Sequence, residues 1–239
     1  MDAAEDGKLG EVKRLISHGA NVNAADDDGS TVLHCAVERG RVDVVALLLD
    51  NDADIEARDT LIGVTPLIYA ASKGRLSCVA LLLDRGAKID AASNKGFTAL
   101  NSAAQQGHLA VVELLVKRGA NIELGNNNGQ TPLMSAARDN RVDVVRCLLD
   151  NGAKNDAKNK DGVTALHLTS HVDHIDVVKL LVDRGANVRA VTTDNVTALH
   201  SAAVGNPAGV AALLISRGAI VDAVDNNGWT PLHMAAGQK

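Results

Sequence analysis

The apolar positions of this chain follow a helical spacing, and the whole pattern recurs as a block. The clearest block is residues 126–158, NNNGQTPLMSAARDNRVDVVRCLLDNGAKNDAK. Two stretches of this block carry apolar residues on one helix face: Leu133, Ala136 and Ala137 in the first, and Val144, Val145, Leu148 and Leu149 in the second. The pattern predicts two short helices in each block, the second from Val142 to Asp150.

The residues at the ends of these stretches are suited to starting and stopping helices. Thr131 can cap the first helix, because its hydroxyl accepts a backbone N–H that has no helical partner. Pro132 then occupies the first helical position, where no N–H is needed. Asn140 and Gly152 follow the two helices, and both residue types tolerate the left-handed conformation that ends a helix. Gly129 sits in a polar turn before Thr131, and we call this turn the finger.

The block repeats along the chain at a nearly constant period. The capping threonine recurs as Thr31, Thr65, Thr98, Thr131, Thr164, Thr197 and Thr230, so that the spacing is 34 residues once and 33 otherwise. A single pair of short helices cannot bury its own apolar face, whereas stacked neighbours can. The period therefore predicts an array of stacked helix pairs.

The block resembles the ankyrin repeat. The best-matching stretches are TPLHMAA at residues 230–236 and GRLSCVALLL at residues 74–83. The resemblance implies an all-α fold with short β-turn fingers: a curved ankyrin-repeat α-solenoid of right-packed antiparallel helix pairs. It also implies a concave face, formed by fingers and first helices, that binds other proteins.

The repeats predict a single ankyrin-repeat domain over residues 1–239, with about six full repeats between partial terminal ones. Residues 1–25 form a partial, polar N-terminal repeat, and residues 225–239 form a truncated C-terminal one. The full repeats are residues 26–59, 60–92, 93–125, 126–158, 159–191 and 192–224.

The seventh and eighth copies depart from the pattern. In the seventh, Asn195 replaces the finger glycine, Asn206-Pro207 replaces the usual residues between the helices, and Gly209 weakens the second helix. The eighth lacks a second helix, which predicts a half-covered face at Leu232. We expect from this that the chain is part of a longer array.

One finger is longer and more apolar than the others. The single 34-residue spacing places an inserted residue between Asp52 and Thr65, in the segment 57–64. This finger carries Leu61, Ile62 and Val64, whereas the others carry Asp, Asn or Lys. An exposed apolar patch marks many interfaces, and aromatic residues are frequent anchors in them. We therefore expect an apolar contact surface here; the alternative is that Leu61 and Ile62 pack onto the neighbouring finger.

The resemblance also assigns candidate partner-binding positions to the fingers and first helices. They are Glu38, Arg39, Leu61, Ile62, Val64, Tyr69, Ser72, Lys73, Lys95, Phe97, Gln105, Gln106, Asn127, Asn128, Arg138, Asp139, Lys160, His171 and Val172. The same face extends to Asp161, Val163, Val196 and Val204 in later repeats.

Catalytic and metal-binding signatures are missing from the sequence. It contains no P-loop, no glycine-rich dinucleotide fingerprint, no HExxH and no GxSxG. His34, His167, His200 and His233 each stand three residues after the capping Thr, where the resemblance implies a structural bond between fingers. His171 and His174, with Asp173 between them and Asp176 beyond, are the nearest approach to a metal cluster, and no Cys or further His is near them in the sequence. We expect no enzyme activity, no cofactor and no metal.

The composition of the chain bears on the kind of partner and on the compartment. Aromatic residues make up only 1% of the chain and the net charge is −5, which favours neither nucleic acid nor an anionic membrane as partner. Three separated cysteines and an N-terminus without an apolar segment predict an intracellular protein, in the cytoplasm or the nucleus. We expect a monomer that binds a protein partner, without membrane insertion. The alternative is an array that senses a nucleotide or oligonucleotide and regulates an absent effector domain.

Overall fold

The computed structural model describes residues 1–205 and 208–237, and this part of the chain contains fifteen helices and no named strands. The helices fall into two compact units, unit 1 (Met1–Asn127) and unit 2 (Asn128–Lys239). Unit 1 contains α1 (Asp2–Glu5), α2 (Leu9–Ser17), α3 (Val32–Glu38), α4 (Val42–Leu49), α5 (Pro66–Ser72), α6 (Leu76–Asp84), α7 (Ala99–Gln106) and α8 (Leu109–Lys117). Unit 2 contains α9 (Pro132–Arg138), α10 (Val142–Asp150), α11 (Ala165–Ser170), α12 (Ile175–Asp183), α13 (Ala198–Gly205), α14 (Ala208–Ser216) and α15 (Pro231–Ala236).

Each unit is built from two layers of stacked helices. In unit 1 the first helices α1, α3, α5 and α7 contact one another in order, and the second helices α2, α4, α6 and α8 do the same. In unit 2 the first helices are α9, α11, α13 and α15, and the second helices are α10, α12 and α14. Each second helix also contacts the first helix of its own pair. The core therefore lies between the two layers, as the repeated apolar faces predict.

The helix ends follow from the same few residue types in each repeat. Thr31, Thr65, Thr98, Thr131 and Thr230 accept the backbone N–H three residues on, which confirms their capping role. Prolines start α5, α9 and α15. Beyond glycine, positive φ values occur at Asp52 (62°), Asn140 (57°) and Asn195 (59°), all of which replace a glycine of other repeats. The left-handed end predicted at Asn140 is thus confirmed, and Asp52 after α4 and Asn195 in a finger turn take the same conformation.

A buried histidine connects one repeat to the next. The backbone N–H of Thr31 donates to Nδ1 of His34 at 3.2 Å, so Nδ1 must be unprotonated. The proton is therefore on Nε2, which donates to the carbonyl of Val64 in the following finger at 3.1 Å. His167 bonds Val196 and His200 bonds Trp229 in the same way, each at 3.1 Å. The structural role implied for these histidines is confirmed.

These histidines predict that the protein loses stability in mild acid. Burial is the main cause that lowers the pKa of His34 and of His167 below the usual 6.5, while the bonds to Val64 and Val196 partly oppose it. The unfolded chain therefore takes up protons first as the pH falls, so the free energy of unfolding is complete above about pH 6.5 and declines below it. Urea titrations at several pH values from neutrality into mild acid measure this decline.

A variant designed from another repeat provides the control. Asn101 occupies the histidine position of α7 and still forms the reciprocal cap, accepting from the N–H of Thr98 at 3.0 Å. His167→Asn should keep the cap, lose about 1 kcal/mol with the bond to Val196, and show a smaller decline in acid. An unchanged pH dependence in this variant would contradict the assignment.

The fingers are tied to one another by single backbone hydrogen bonds. In unit 1, Thr60 N–H donates to Asp28, Asn94 N–H to Ile62, and Asn127 N–H to Lys95, at 2.9–3.0 Å. This register pairs Thr60 with Asn94 and Ile62 with Lys95, and it leaves Leu61 without a counterpart. Leu61 is therefore the inserted residue, within the segment that the spacing predicted.

The outer ends of the second helices carry a ladder of ion pairs. An arginine that follows α6, α8, α12 or α14 bonds the aspartate at the end of the preceding second helix. The pairs are Asp50–Arg85 and Asp84–Arg118 in unit 1, and Asp150–Arg184 and Asp183–Arg217 in unit 2, at 2.6–2.8 Å. All eight side chains are at least one third exposed, so each pair contributes no more than about 1 kcal/mol. The apolar core, and not this ladder, provides most of the stability.

The C-terminal copies fit the sequence expectations only in part. Asn206 and Pro207 lie outside the described residues. Leu232 is 75% exposed, whereas the equivalent Leu133, Leu166 and Leu199 are buried, so the expected uncovered face is present. The single-domain boundaries drawn from the repeats stay a prediction.

Candidate functional site

Unit 1 contains a groove of about 360 Å³ between two consecutive fingers and first helices. We call it the unit 1 groove. The candidate residues that line it are Ile62, Val64, Tyr69, Ser72, Lys73, Lys95, Phe97, Gln105 and Gln106, joined by Ile68, Ser93 and Ser102. The sequence-based candidates of the inserted finger, α5, the next finger and α7 thus come together at one place.

Tyr69 lines this groove and its ring contacts two neighbouring side chains. Its ring meets that of His34 edge-on, with the ring centroids 6.0 Å apart, and Nζ of Lys73 lies 5.7 Å from the Tyr69 centroid. Nζ of Lys73 also bonds the carboxylate of Glu38 at 3.0 Å. Burial, reinforced by the charge of Glu38, raises the pKa of Tyr69. The phenol is therefore neutral at physiological pH and can both donate and accept a hydrogen bond.

The inserted finger presents two apolar side chains to solvent. Leu61 is 67% exposed and Ile62 is 47% exposed, so neither is packed onto the neighbouring finger as a core residue would be. Phe97, at the equivalent of Val64 in the next finger, is half-buried on the groove wall. Leu61 and Ile62 thus form an exposed apolar surface on this finger, with Phe97 of the next finger nearby, and its role as a contact surface stays a prediction.

Val64 is a correction to the expected exposed patch, because only 7% of its surface is accessible. Its carbonyl accepts hydrogen bonds from Nε2 of His34 at 3.1 Å and from the N–H of Asp59 at 3.2 Å. The bond from His34 holds the end of the finger against the preceding repeat, and the bond from Asp59 closes the finger on itself, next to the capping Thr65. Val64 therefore belongs to the wall of the groove and not to its exposed rim.

Unit 2 contains a larger groove, of about 620 Å³, which we call the unit 2 groove. Its apolar surface comes from Leu168, Val172, Val204, Val163, Val196 and Met234. Of the sequence-based candidates, Arg138, His171 and Val172 lie here. Asp161 and Asp194, at equivalent places on two fingers, line the same groove.

Several other candidates do not line either groove. Arg39 pairs with Glu5 at 3.2 Å, and Asp139 pairs with Arg138 at 3.2 Å. The side chain of Asn127 bonds the carbonyl of Asn94, which makes it part of the finger structure. Glu38 and Asn128 are likewise bonded, and Lys160 is exposed on its finger. Most of these side chains are engaged within their own unit.

Sequence reasoning missed part of the unit 2 groove, namely Leu168, Asp194 and Met234. Leu168 and Met234 stand four residues after the capping Thr, as does Tyr69 in unit 1. Beside them the same position holds small residues, Ser201 in unit 2 and Ser102 in unit 1. A large side chain next to a small one leaves a hollow, so this position was the signal that could have located both grooves.

The described residues offer little reactive chemistry. They include no cluster of three or more His, Cys, Asp or Glu side chains able to hold a metal ion. Cys78 is buried, and Cys35 and Cys147 are half-buried. Burial raises the pKa of the Cys35 thiol to about 11, so the reactive thiolate is scarce at neutral pH. None of the helices in this part of the chain is long and apolar enough to cross a bilayer.

Known proteins share this architecture. The human ASB11 ankyrin repeat domain superposes with a TM-score of 0.82 at 32% sequence identity, over 90% of this chain and 96% of that domain. An ankyrin repeat-containing protein of Schizosaccharomyces pombe is 42% identical over 65 residues, and the mouse 2-5A-dependent ribonuclease is 44% identical over 69 residues. These matches cover 27% and 28% of this chain, but only 31% and 9% of the two relatives.

Family models identify the repeat itself. A model described as "Ankyrin repeats (3 copies)" matches residues 57–126, 119–192 and 185–239. A second, described as "Ankyrin repeats (many copies)", matches residues 1–49. Together with the capped helix pairs and the finger-to-finger hydrogen bonds, these matches show that the chain belongs to the ankyrin repeat family.

Proposed function

We propose that the chain is a non-catalytic scaffold that binds a protein partner through its fingers and first helices, with the unit 1 groove as the principal contact. Ankyrin repeats form protein–protein interaction domains, and their fold is generally non-catalytic. The observation that carries the proposal is the exposure of Leu61 and Ile62 beside a groove that already holds an anchored tyrosine. Exposed apolar side chains grouped around an aromatic anchor are typical of energetic centres in interfaces.

The alternative of a nucleotide-sensing array has less support. Phosphate recognition needs free cationic side chains grouped around a pocket. Of the lysine and arginine side chains that line the two grooves, Lys73 is paired with Glu38 at 3.0 Å and Arg138 with Asp139 at 3.2 Å, so among the described lining residues Lys95 is a single cation and not a group. The exposed apolar side chains at the unit 1 groove favour binding of a protein over binding of a phosphate group.

The proposal predicts that Ile62→Asp abolishes partner capture without unfolding the protein. A charge placed in the groove would have to be desolvated by the partner, which costs at least about tenfold in affinity for a central contact. The measurement is quantitative affinity capture from a cell lysate with wild-type and variant baits. Circular dichroism of each bait reports whether its fold is intact.

Leu76→Ser is the matched control, because Leu76 is also in unit 1 and 41% exposed but does not line the groove. Proteins captured through the groove should be lost with Ile62→Asp or Phe97→Ser and retained with Leu76→Ser. Equal capture by all baits would disprove the proposed contact. Unfolding of the Leu61→Ser variant would instead support a packing role for the insertion.

A further inference from the structure

The unit 2 groove combines an apolar floor with a wall that carries free negative charge. Leu168, Val172 and Val204 lie on or beside the first helices, and Val196 and Met234 complete the apolar surface. A volume of about 620 Å³ falls within the range of roughly 300–1,000 Å³ that is common for ligand sites. The groove is therefore large enough to hold more than one side chain of a partner.

Most polar groups of this groove are already engaged. His167 and His200 use Nδ1 in their helix caps and Nε2 in bonds to Val196 and Trp229. The guanidinium of Arg138 makes two contacts of 3.2 Å with the carboxylate of Asp139, which offsets its charge. A ligand therefore meets neither a free histidine nitrogen of these two residues nor an uncompensated arginine.

Asp161 and Asp194 are the two carboxylates of this groove that remain unengaged. Both are exposed, and no hydrogen bond or ion pair engages either carboxylate among the described residues. Their backbone carbonyls are used, since the N–H of Thr193 donates to Asp161 at 2.9 Å and the N–H of Asn226 donates to Asp194 at 3.0 Å. These two backbone carbonyls are thus already used in hydrogen bonds within the unit, while the two carboxylates can still pair with a cation of a partner.

We propose that the unit 2 groove binds a peptide segment of a partner protein in which an aliphatic residue stands next to lysine or arginine. The aliphatic side chain fills the floor between Leu168, Val172 and Val204, and the cation pairs with Asp161 and Asp194. The net charge of −5 would favour the approach of such a basic segment. The proposal goes beyond the unit 1 contact, because it adds a second surface and a chemical class of ligand.

The test measures binding of short fluorescent peptides to the full chain by fluorescence anisotropy. A peptide alternating leucine and lysine should bind, and one alternating leucine and glutamate or serine and lysine should bind at least about fivefold more weakly. Asp161→Asn combined with Asp194→Asn should weaken the first peptide about fivefold or more, since each exposed pair contributes up to about a fivefold change. Val172→Ser should have a comparable effect.

Matched variants separate this site from general attraction and from the unit 1 groove. Asp143→Asn removes an exposed charge on α10, and Ile215→Ser removes a 48% exposed apolar side chain on α14, and neither residue lines the groove. Both should bind the leucine–lysine peptide as the wild type does, as should Ile62→Asp. Circular dichroism of every variant confirms that it is folded.

Any of the following results would overturn the proposal. With the wild-type chain, these are no binding of the leucine–lysine peptide, equally tight binding of the serine–lysine peptide, and tighter binding of the leucine–glutamate peptide. With the variants, it is a loss of affinity for the leucine–lysine peptide that is as large for Asp143→Asn as for the groove variants. Loss of the peptide with Ile62→Asp alone would place it in the unit 1 groove, which overturns this inference and leaves the proposed function standing. Equal partner capture by the wild type and Ile62→Asp, with the peptide results as expected, would overturn the proposed function and leave this inference standing.

Discussion

Leu133→Ala is expected to lower the free energy of unfolding by about 2–5 kcal/mol, whereas Leu232→Ala should change it by less than about 0.5 kcal/mol. Both leucines follow the proline that starts a first helix, and both belong to unit 2. Leu133 is 1% exposed, while Leu232 is 75% exposed. The first substitution leaves a cavity among α9, α10 and α11, and the second removes methyl groups that already contact solvent.

Urea unfolding followed by circular dichroism measures both values. The two leucines share residue type, preceding proline and position in the repeat. The difference between the two losses in free energy of unfolding therefore measures how much a first helix gains when following helices bury its leucine. Equal effects would mean that burial against the neighbouring repeat contributes little, contrary to the fold described above.

Gly96→Ala is expected to cost about 1–3 kcal/mol more than Gly119→Ala. Both glycines have positive φ values, 80° and 88°, so alanine pays a similar backbone cost of about 1 kcal/mol or more at each position. At Gly96 an added Cβ would also lie 2.5 Å from the backbone nitrogen of Asn127, whereas nothing lies within 4 Å of such a Cβ at Gly119. The extra cost comes from moving the finger and weakening the bond from Asn127 N–H to Lys95.

Urea midpoints of the two variants, measured side by side, give this difference. Fluorescence of the single tryptophan is a poor reporter here, since Trp229 belongs to unit 2, so circular dichroism is the better signal. If both alanine variants lose the same stability, the close approach of the fingers is not a constraint on the sequence.

The helices could be predicted well because each of their boundaries depends on local chemistry. Threonine caps, N-terminal prolines and left-handed Asp52, Asn140 and Asn195 all depend on residues within one turn of the helix end. The same holds for α10, whose limits, Val142 and Asp150, agree with the apolar pattern. The period of the capping threonine then determines how these helices stack.

The site could be predicted less completely because it depends on contacts between repeats. Val64 was expected on the exposed rim from its place in an apolar finger, but hydrogen bonds from His34 and Asp59 hold it inward. Leu168 and Met234 went unnoticed because each resembles an ordinary core residue when its repeat is read alone. Only the juxtaposition with Ser201 shows that they border a hollow.

The inserted Leu61 has a consequence for how such a protein can change over time. The bonds from Thr60 to Asp28 and from Asn94 to Ile62 flank the insertion and are both intact, so the extra residue bulges outward without altering the helices behind it. The length and the side chains of a fingertip can therefore vary, because the apolar core between the helix layers provides most of the stability. Single substitutions or insertions at the fingertips can therefore change which partner is bound, as they do in the variable binding loops of other rigid scaffolds.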